Sequence, residues 1–307
     1  MKKIQKPCVF ITSTGRTGTK FFAYLFNQVV PDCDAFHEPG QVDLFSISDI
    51  IHNWPYFTLS QLLLDKFADA RNVRGLSILR IGNRISADEA SRQLYRLRKR
   101  IVQTVSGRPY VESNHQIIGL IDVVTHVFPH VNIIYMVRDP RDWLVSSYRY
   151  GAGWYGNIVS SLIGRANPQI CADRETATAW EEMNNFQRNC WYWATKNRYA
   201  LQCVGRTPGA RLFKFEDIFR GEERYRHLRE LMDFATGFGD GREFDYESLD
   251  GMLERKINKS DPDGFPGWRE WGPERVRQFQ QICGDLMEEL GYGTEPEWRK
   301  MCREAGV

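Results

Sequence analysis

Residues 8–26 constrain the fold of this chain more tightly than any other stretch. Cys8-Val9-Phe10-Ile11-Thr12 is short, apolar and partly β-branched, the pattern of a strand buried on both faces. It passes through Ser13-Thr14-Gly15-Arg16-Thr17-Gly18-Thr19 into the helical run Lys20-Phe21-Phe22-Ala23-Tyr24-Leu25-Phe26. A buried strand that leaves through a glycine-containing loop into a helix opens a βαβ unit, and such units build parallel sheets covered on both sides. The pattern recurs at Val131–Val137, which runs into Arg138-Asp139-Pro140-Arg141 and a helix through Tyr148. Arg211–Phe215, closed by Glu216-Asp217, is a third strand, Tyr110-Val111-Glu112 a fourth, and a short one precedes Glu38. Helices are expected over 58–70, 86–105, 116–127, 174–203, 222–236 and 273–290. The expected fold is α/β, a central parallel sheet flanked by helices, in one domain spanning 1–307. No internal repeat, low-complexity tract or Pro/Ser-rich linker divides the chain, and Gly237–Gly241 and Asp261–Gly267 read as loops.

Charge and cysteine content narrow the partners. Lys and Arg number 41 against 39 Asp and Glu, a formal net charge of +2, so the surface exerts no general pull on nucleic acid or an anionic membrane. Any anion must be met by a local cluster. The basic N-terminus leads into an apolar run that ends at Ile11, too short for a signal peptide, and no other stretch is long enough to span a bilayer. Seven scattered cysteines without a C-x-x-C pair read as reduced thiols, and the expected location is cytoplasmic.

Two local clusters have the chemistry to hold an anion. At the strand-to-helix junction of Thr14–Thr19, backbone N–H groups lack helical partners and carry the positive end of the helix dipole. Gly15 and Gly18 let the backbone turn tightly, Thr17 and Thr19 offer hydroxyls, and Arg16 offers a planar fork for oxyanions. The Walker pattern is not met, because Phe21 stands where Ser or Thr would hold magnesium. The second cluster is Arg138-Asp139-Pro140-Arg141-Asp142-Trp143-Leu144-Val145-Ser146, at the end of another strand, with Asp139 as cap and Pro140 in the first helical turn. Taken alone, R-D-P-R reads equally well as a structural ion-pair corner. Ligands of open parallel sheets collect at the strands' carboxyl ends, so the two clusters suit one nucleotide phosphorylated at two separate positions.

With both clusters in place, the chain resembles the sulfotransferase family that uses 3′-phosphoadenosine 5′-phosphosulfate (PAPS), the carbohydrate-type and bacterial members in particular. T-G-R-T-G-T-K-F is similar to that family's 5′-phosphosulfate loop, with Arg16 where cytosolic members often carry Lys and carbohydrate-modifying members Arg. N-I-I-Y-M-V-R-D-P-R-D-W-L-V-S is similar to its 3′-phosphate element, including the spacing from Arg138 to Ser146. K-F-E-D at 214–217 and G-W-R-E-W at 267–271 are weaker matches, to a core strand end and to the loop that folds over the nucleotide. The resemblance implies a P-loop-like sulfotransferase fold, with nucleotide-binding elements at 8–26, 131–148 and 255–271 and acceptor-side insertions at 41–107 and 150–200. It implies metal-independent in-line transfer of a sulfuryl group from PAPS to an acceptor hydroxyl or amine, leaving adenosine 3′,5′-bisphosphate. The acceptor would be a carbohydrate or small metabolite, and the resemblance leaves room for a homodimer. Arg16 would stabilise charge on the 5′-phosphate, cradled by Thr14, Gly15, Thr17, Gly18, Thr19 and Lys20. Arg138 and Ser146 would fix the 3′-phosphate, Phe21 would stack on adenine, and Lys256 and Lys259 would close over the 3′ side. Two other readings stay open: a P-loop-type nucleotide kinase, against which Phe21 stands, and a non-catalytic nucleotide-binding protein.

Two residues compete to be the base that takes the acceptor's proton. Glu38, in Phe36-His37-Glu38-Pro39-Gly40, lies in a segment like the one where carbohydrate and tyrosyl members place a glutamate. His115, in Glu112-Ser113-Asn114-His115, lies near the position of the histidine in phenol and steroid members. Histidine needs little adjustment to act near neutrality, whereas Glu38 would need burial to raise its pKa. The family reading favours Glu38. The basic run Arg92, Arg96, Arg98, Lys99, Arg100 reads as a solvated helix face or as a guide for an anionic substrate. Trp54-Pro55-Tyr56-Phe57 and Trp154-Tyr155 read as stacking platforms, Trp191-Tyr192-Trp193 as core, and the Tyr150–Trp154 loop as an acceptor-side element.

Overall fold

The computed structural model describes residues 2–40, 51, 55–57, 70–151, 166–171, 173–237, 249, 251–254 and 265–307. Its centre is a five-stranded sheet: β1 (Cys8–Ser13), β2 (Asp34–His37), β3 (Tyr110–Ser113), β4 (Val131–Val137) and β5 (Ala210–Lys214), in the order β2-β3-β1-β4-β5. Every pairing is parallel. All six residues of β1 are buried, as a central strand covered on both faces requires.

Helices cover the two faces. On one lie α1 (Thr19–Val29), the short α8 (Phe215–Phe219) and α9 (Arg224–Thr236). Val9, Ile11, Val111, Ile134 and Met136 point into this layer, against Phe22, Phe26, Leu228 and Leu231. The alternate residues Cys8, Phe10, Tyr110, Ile133 and Tyr135 enter the opposite layer. That layer draws on α2 (Val73–Ile81), α3 (Ala87–Thr104), α4 (Ile121–Val127), α5 (Pro140–Gly151), α7 (Asn185–Val204), α10 (Pro273–Glu289) and α11 (Pro296–Ala305), while the short α6 (Arg174–Ala179) contributes no buried residue. Among the described residues no helix is long and apolar enough to cross a membrane.

The chain leaves β1 through α1 towards the β2 edge but leaves β4 towards β5 at the other edge. The carboxyl ends of β1 and β4, paired up to Ser13 and Met136, therefore flank a topological switch point, where loops diverge and leave a crevice.

Some elements differ from the sequence expectation. The helix expected over 174–203 is two, because Asn184 and Gln187 form a reciprocal capping box that starts α7 afresh while Trp180 packs edge-on against Trp191. The helix expected over 116–127 opens as a 3-10 turn, His115–Leu120, before α4. Gly119 lies in that turn, where a Cβ would fall 2.4 Å from the Ser77 carbonyl oxygen of α2. α2 and α11 were not anticipated: α2 is short and relies on the Asn72 cap, whose side chain accepts from the Gly75 N–H at 2.7 Å, and α11 is largely charged and held by Trp298. Apart from Ala70, the helix expected over 58–70 lies outside the described residues, as do Trp54, Trp154, Tyr155, 238–241 and 261–264.

Candidate functional site

The loop after β1 is fixed from below. Ser13 Oγ accepts from the Gly15 N–H at 2.9 Å and from the Thr17 hydroxyl at 2.7 Å. Gly15, Arg16 and Gly18 all have left-handed φ, +84°, +57° and +81°. Gly18 is required twice over, since a Cβ there would lie 2.8 Å from the Phe219 ring. Arg16 takes the same conformation without glycine's freedom, at a cost of about 1–2 kcal/mol. Its backbone is held by Arg138, whose Nη1 donates to the Arg16 carbonyl at 2.7 Å, while Trp143 Nε1 donates to the Gly15 carbonyl at 3.0 Å. Arg16 Nε in turn donates to Ser146 Oγ at 3.3 Å. The two sequence clusters thus form one locus between β1 and β4. α1 begins at Thr19 with no side chain capping its first N–H groups and no acidic residue in its first turn.

Two buried donors of this locus, the Thr14 hydroxyl and Arg138 Nε, have no hydrogen-bond partner among the described residues. Burial, followed by repulsion from Arg220 and Arg16, pushes the Arg138 guanidinium down to about 10 despite the nearby Asp142 and Glu216. A surplus of positive charge with unsatisfied donors fits phosphate or sulfate oxygens. The R-D-P-R run divides its labour. Arg138 faces the locus, with its guanidinium 4.4 Å over the Phe215 ring. Arg141 is the structural corner: it donates to Asp139 at 2.6 and 3.0 Å and to Glu295 at 2.8 and 3.0 Å, and lies between Trp268 and Trp298. Glu216, in the K-F-E-D segment, accepts from the Asp139 N–H at 3.1 Å and the Tyr292 hydroxyl at 2.8 Å.

The second half of the site forms where β2 and β3 end side by side, His37 in register with Ser113. Glu38 turns out of β2 with φ +49°, its N–H donating to the Ser113 carbonyl at 3.0 Å. Its Oε1 meets His115 Nδ1 in a short hydrogen bond. The two competing candidates are therefore one pair. Burial pushes the Glu38 carboxyl upward, as the sequence reading required, but His115, His37 and Lys20 overcome it and hold the group down at about 2. The raised pKa expected for a glutamate base is not what these neighbours produce. An ionised carboxylate only accepts, so His115 Nδ1 is the donor in this bond and Nε2 is the ring nitrogen left for another partner. His37, which sequence reasoning passed over, joins the two halves: its Nε2 lies 3.1 Å from Thr19 Oγ1 and 3.6 Å from Glu38 Oε1. Burial, only partly offset by Glu38, lowers the His37 pKa. Adjacent strand residues point to opposite faces, and only the left-handed turn at Glu38 brings the two side chains together, so the sequence carries no signal for it.

Lys20 is exposed beside this group. Phe21 is 5% exposed and packs edge-on against Phe22 and Phe219, so its ring belongs to the core layer rather than to an open stacking face. Trp268 and Trp271 of the G-W-R-E-W segment are likewise buried, packed on Trp298. Lys256 and Lys259 lie outside the described residues.

A family model described as "Sulfotransferase family" matches residues 7–199. Among solved structures, the chain is similar to a sulfotransferase from Alicyclobacillus acidocaldarius, at 16% identity and TM-score 0.40, covering 96% of this chain and 100% of that one. It is similar to the mouse sulfotransferase SULT7A1 complexed with PAP, at 13% identity and TM-score 0.47, covering 98% and 89%. A third is sulfotransferase STF9 from Mycobacterium avium, at 13% identity and TM-score 0.48, covering 94% and 77%. No curated protein matches the chain.

Proposed function

Since the chain belongs to the sulfotransferase family, we propose that it transfers a sulfuryl group from PAPS to the hydroxyl, or amine, of a carbohydrate or small metabolite. The observation that carries this reading is the pair of unsatisfied buried donors, Thr14 Oγ1 and Arg138 Nε, at the carboxyl ends of β1 and β4, with a cation surplus around Arg138 and a carboxylate-held imidazole at the end of β3. PAPS supplies the sulfuryl group and departs as adenosine 3′,5′-bisphosphate. Arg16, the N–H groups of 17–20 and the Thr14, Thr17 and Thr19 hydroxyls hold its 5′ end. Arg138 and Ser146 hold its 3′-phosphate, with Lys256 and Lys259 as further cations for that side. These fixed cations and amides meet the charge that grows on the leaving oxygen, so the chemistry needs no metal.

On the acceptor side, the order of the two candidates reverses. A carboxyl held near 2 is a weak base, whereas an imidazole whose Nδ1–H is fixed by an anion presents a basic Nε2. His115 takes the acceptor's proton, and Glu38 orients the ring and stabilises the imidazolium. We read the whole chain as one domain acting in the cytoplasm, in keeping with its seven free thiols.

Thermal shift with adenosine 3′,5′-bisphosphate, ATP and Mg-ATP tests the reading. Adenosine 3′,5′-bisphosphate without magnesium, at about 100 times its dissociation constant, should add about 2.7 kcal/mol of stability. Arg138→Ala should lose most of that gain. Stabilisation by Mg-ATP alone would point to a kinase and sink the proposal. Labelled PAPS with a panel of sugars, phenols and amines then reads transfer. His115→Ala should abolish turnover, while Glu38→Gln should leave a residual rate.

A further inference from the structure

The basic helix α3 holds one residue that does not behave as surface. Arg92, Arg96, Lys99 and Arg100 are exposed, but Arg98 is 1% exposed and lies on the same stripe as Leu94, Leu97 and Ile101. Its guanidinium makes a two-pronged pair with Glu112 of β3, Nε to Oε2 at 2.6 Å and Nη2 to Oε1 at 2.7 Å. Glu112 is itself fully buried and accepts two further bonds, from the Tyr110 hydroxyl at 2.9 Å and from Asn114 Nδ2 at 2.8 Å. Four donors saturate one carboxylate. Taking two charges out of water costs free energy that apolar packing would avoid, so a contribution to stability is weak grounds for such a pair.

The network's outer contacts suggest another role. Arg98 Nη2 reaches the carbonyl of Pro39, the residue after Glu38, at 3.4 Å. Gly40 follows with φ +86° and packs on the Phe57 ring, over which Arg98 also lies at 5.8 Å. On the other side, Asn114 is the residue before His115. Its side chain accepts from the Gln116 N–H at 2.9 Å and so caps the 3-10 turn that begins at His115, while its own N–H donates to the Ile11 carbonyl at 2.8 Å. One buried carboxylate is therefore tied, through Arg98, to the backbone that carries Glu38 and, through Asn114, to the turn that carries His115.

We propose that Arg98, Glu112 and Asn114 are positioning residues for the Glu38–His115 pair, locking two segments distant in sequence into hydrogen-bonding register. This rests on the reading of that pair as the proton-accepting group, with His37 and Lys20 as the other charged or titratable neighbours of Glu38.

The test follows the imidazole directly. In protein with labelled histidine, the His115 resonances are assigned among six by their loss in His115→Gln, and titrated by NMR without donor or acceptor. Glu38→Gln defines the midpoint of a ring that has lost its anion. In Asn114→Ala and Arg98→Lys, the His115 midpoint should move measurably towards that value, while His130 and His227, whose side chains form none of the network's hydrogen bonds, serve as internal references. In turnover assays kcat should fall by up to about 100-fold with KM for PAPS unchanged. Asn114→Ala, which keeps the Arg98–Glu112 pair, carries the test if Arg98→Lys does not fold, and Tyr110→Phe, which leaves both ties in place, should leave the His115 midpoint where it is. Folded Asn114→Ala or Arg98→Lys protein with an unmoved His115 midpoint would overturn the proposal. A moved midpoint in a protein that transfers nothing from PAPS would uphold the positioning role and defeat the functional reading instead.

Discussion

Glu38 is under opposing influences: burial favours its neutral form, and the cations and histidines around it favour the anion more. Its folded-state pKa, about 2, lies below the ordinary value of 4.5, so the unfolded chain binds the proton more readily. The stabilisation it contributes is fully present above pH 4.5, declines as pH falls from there, and is gone once pH drops through 2. Denaturant midpoints measured across that window should show a steeper acid loss for the native protein than for Glu38→Gln. Gly18 offers a sharper test of the loop after β1. Alanine there would have to adopt a left-handed φ and place its Cβ against the Phe219 ring. Gly18→Ala should cost about 1–3 kcal/mol in urea unfolding and weaken binding of adenosine 3′,5′-bisphosphate, because α1 could no longer start at its present angle.

At the scale of elements, α5 shows how one short motif serves two ends. Asp139 and Arg141 lock the start of the helix, freeing Arg138 on one side and Ser146 further along to face the Arg16 loop. Both readings of R-D-P-R were legible in the sequence, and the structure divides the run between them, Arg141 forming the ion-pair corner and Arg138 facing the Arg16 loop. α7 is the counterexample. The run 174–203 has helical character throughout, yet the capping box at Asn184 and the burial of Trp180 divide it. Asn184→Ala should cost about 1 kcal/mol in chemical denaturation and leave bisphosphate binding unchanged, since among the described residues the hydrogen bonds of the Asn184 side chain go to its own helix turn and to Gln278. α3 departs from expectation in the other direction: four of its cations are solvated, and the fifth, Arg98, is core.

Across the whole molecule, the C-terminal segment closes onto the first half of the chain. Glu295 pairs with Arg141, and Trp298 of α11 and Trp268 cover that guanidinium from two sides. Trp298 is 2% exposed and also meets Trp271 and Phe279 edge-on. Trp298→Ala should therefore cost about 3–5 kcal/mol in global unfolding. It should also weaken bisphosphate binding, because Arg141 and Asp139 set the end of β4 from which Arg138 emerges. A loss of stability with unchanged affinity would show that the corner holds without its aromatic cover.

The sequence alone determined the strand–loop–helix order, the α/β class and the two cationic loops, because each depends on residues within one or two turns of each other. Gly15, Gly18 and the spacing from Arg138 to Ser146 have their meaning locally. The union of Glu38 with His115, 77 residues apart, was decided only by β2 lying beside β3 in register. The burial of Phe21 against Phe219 and of Arg98 against Glu112 was likewise a matter of tertiary contact. Strands buried on both faces have apolar side chains in either direction, so their pattern identifies them as strands without saying which neighbours they take. That choice, made by the packing of two helical layers on one sheet, turned two rival residues into a pair.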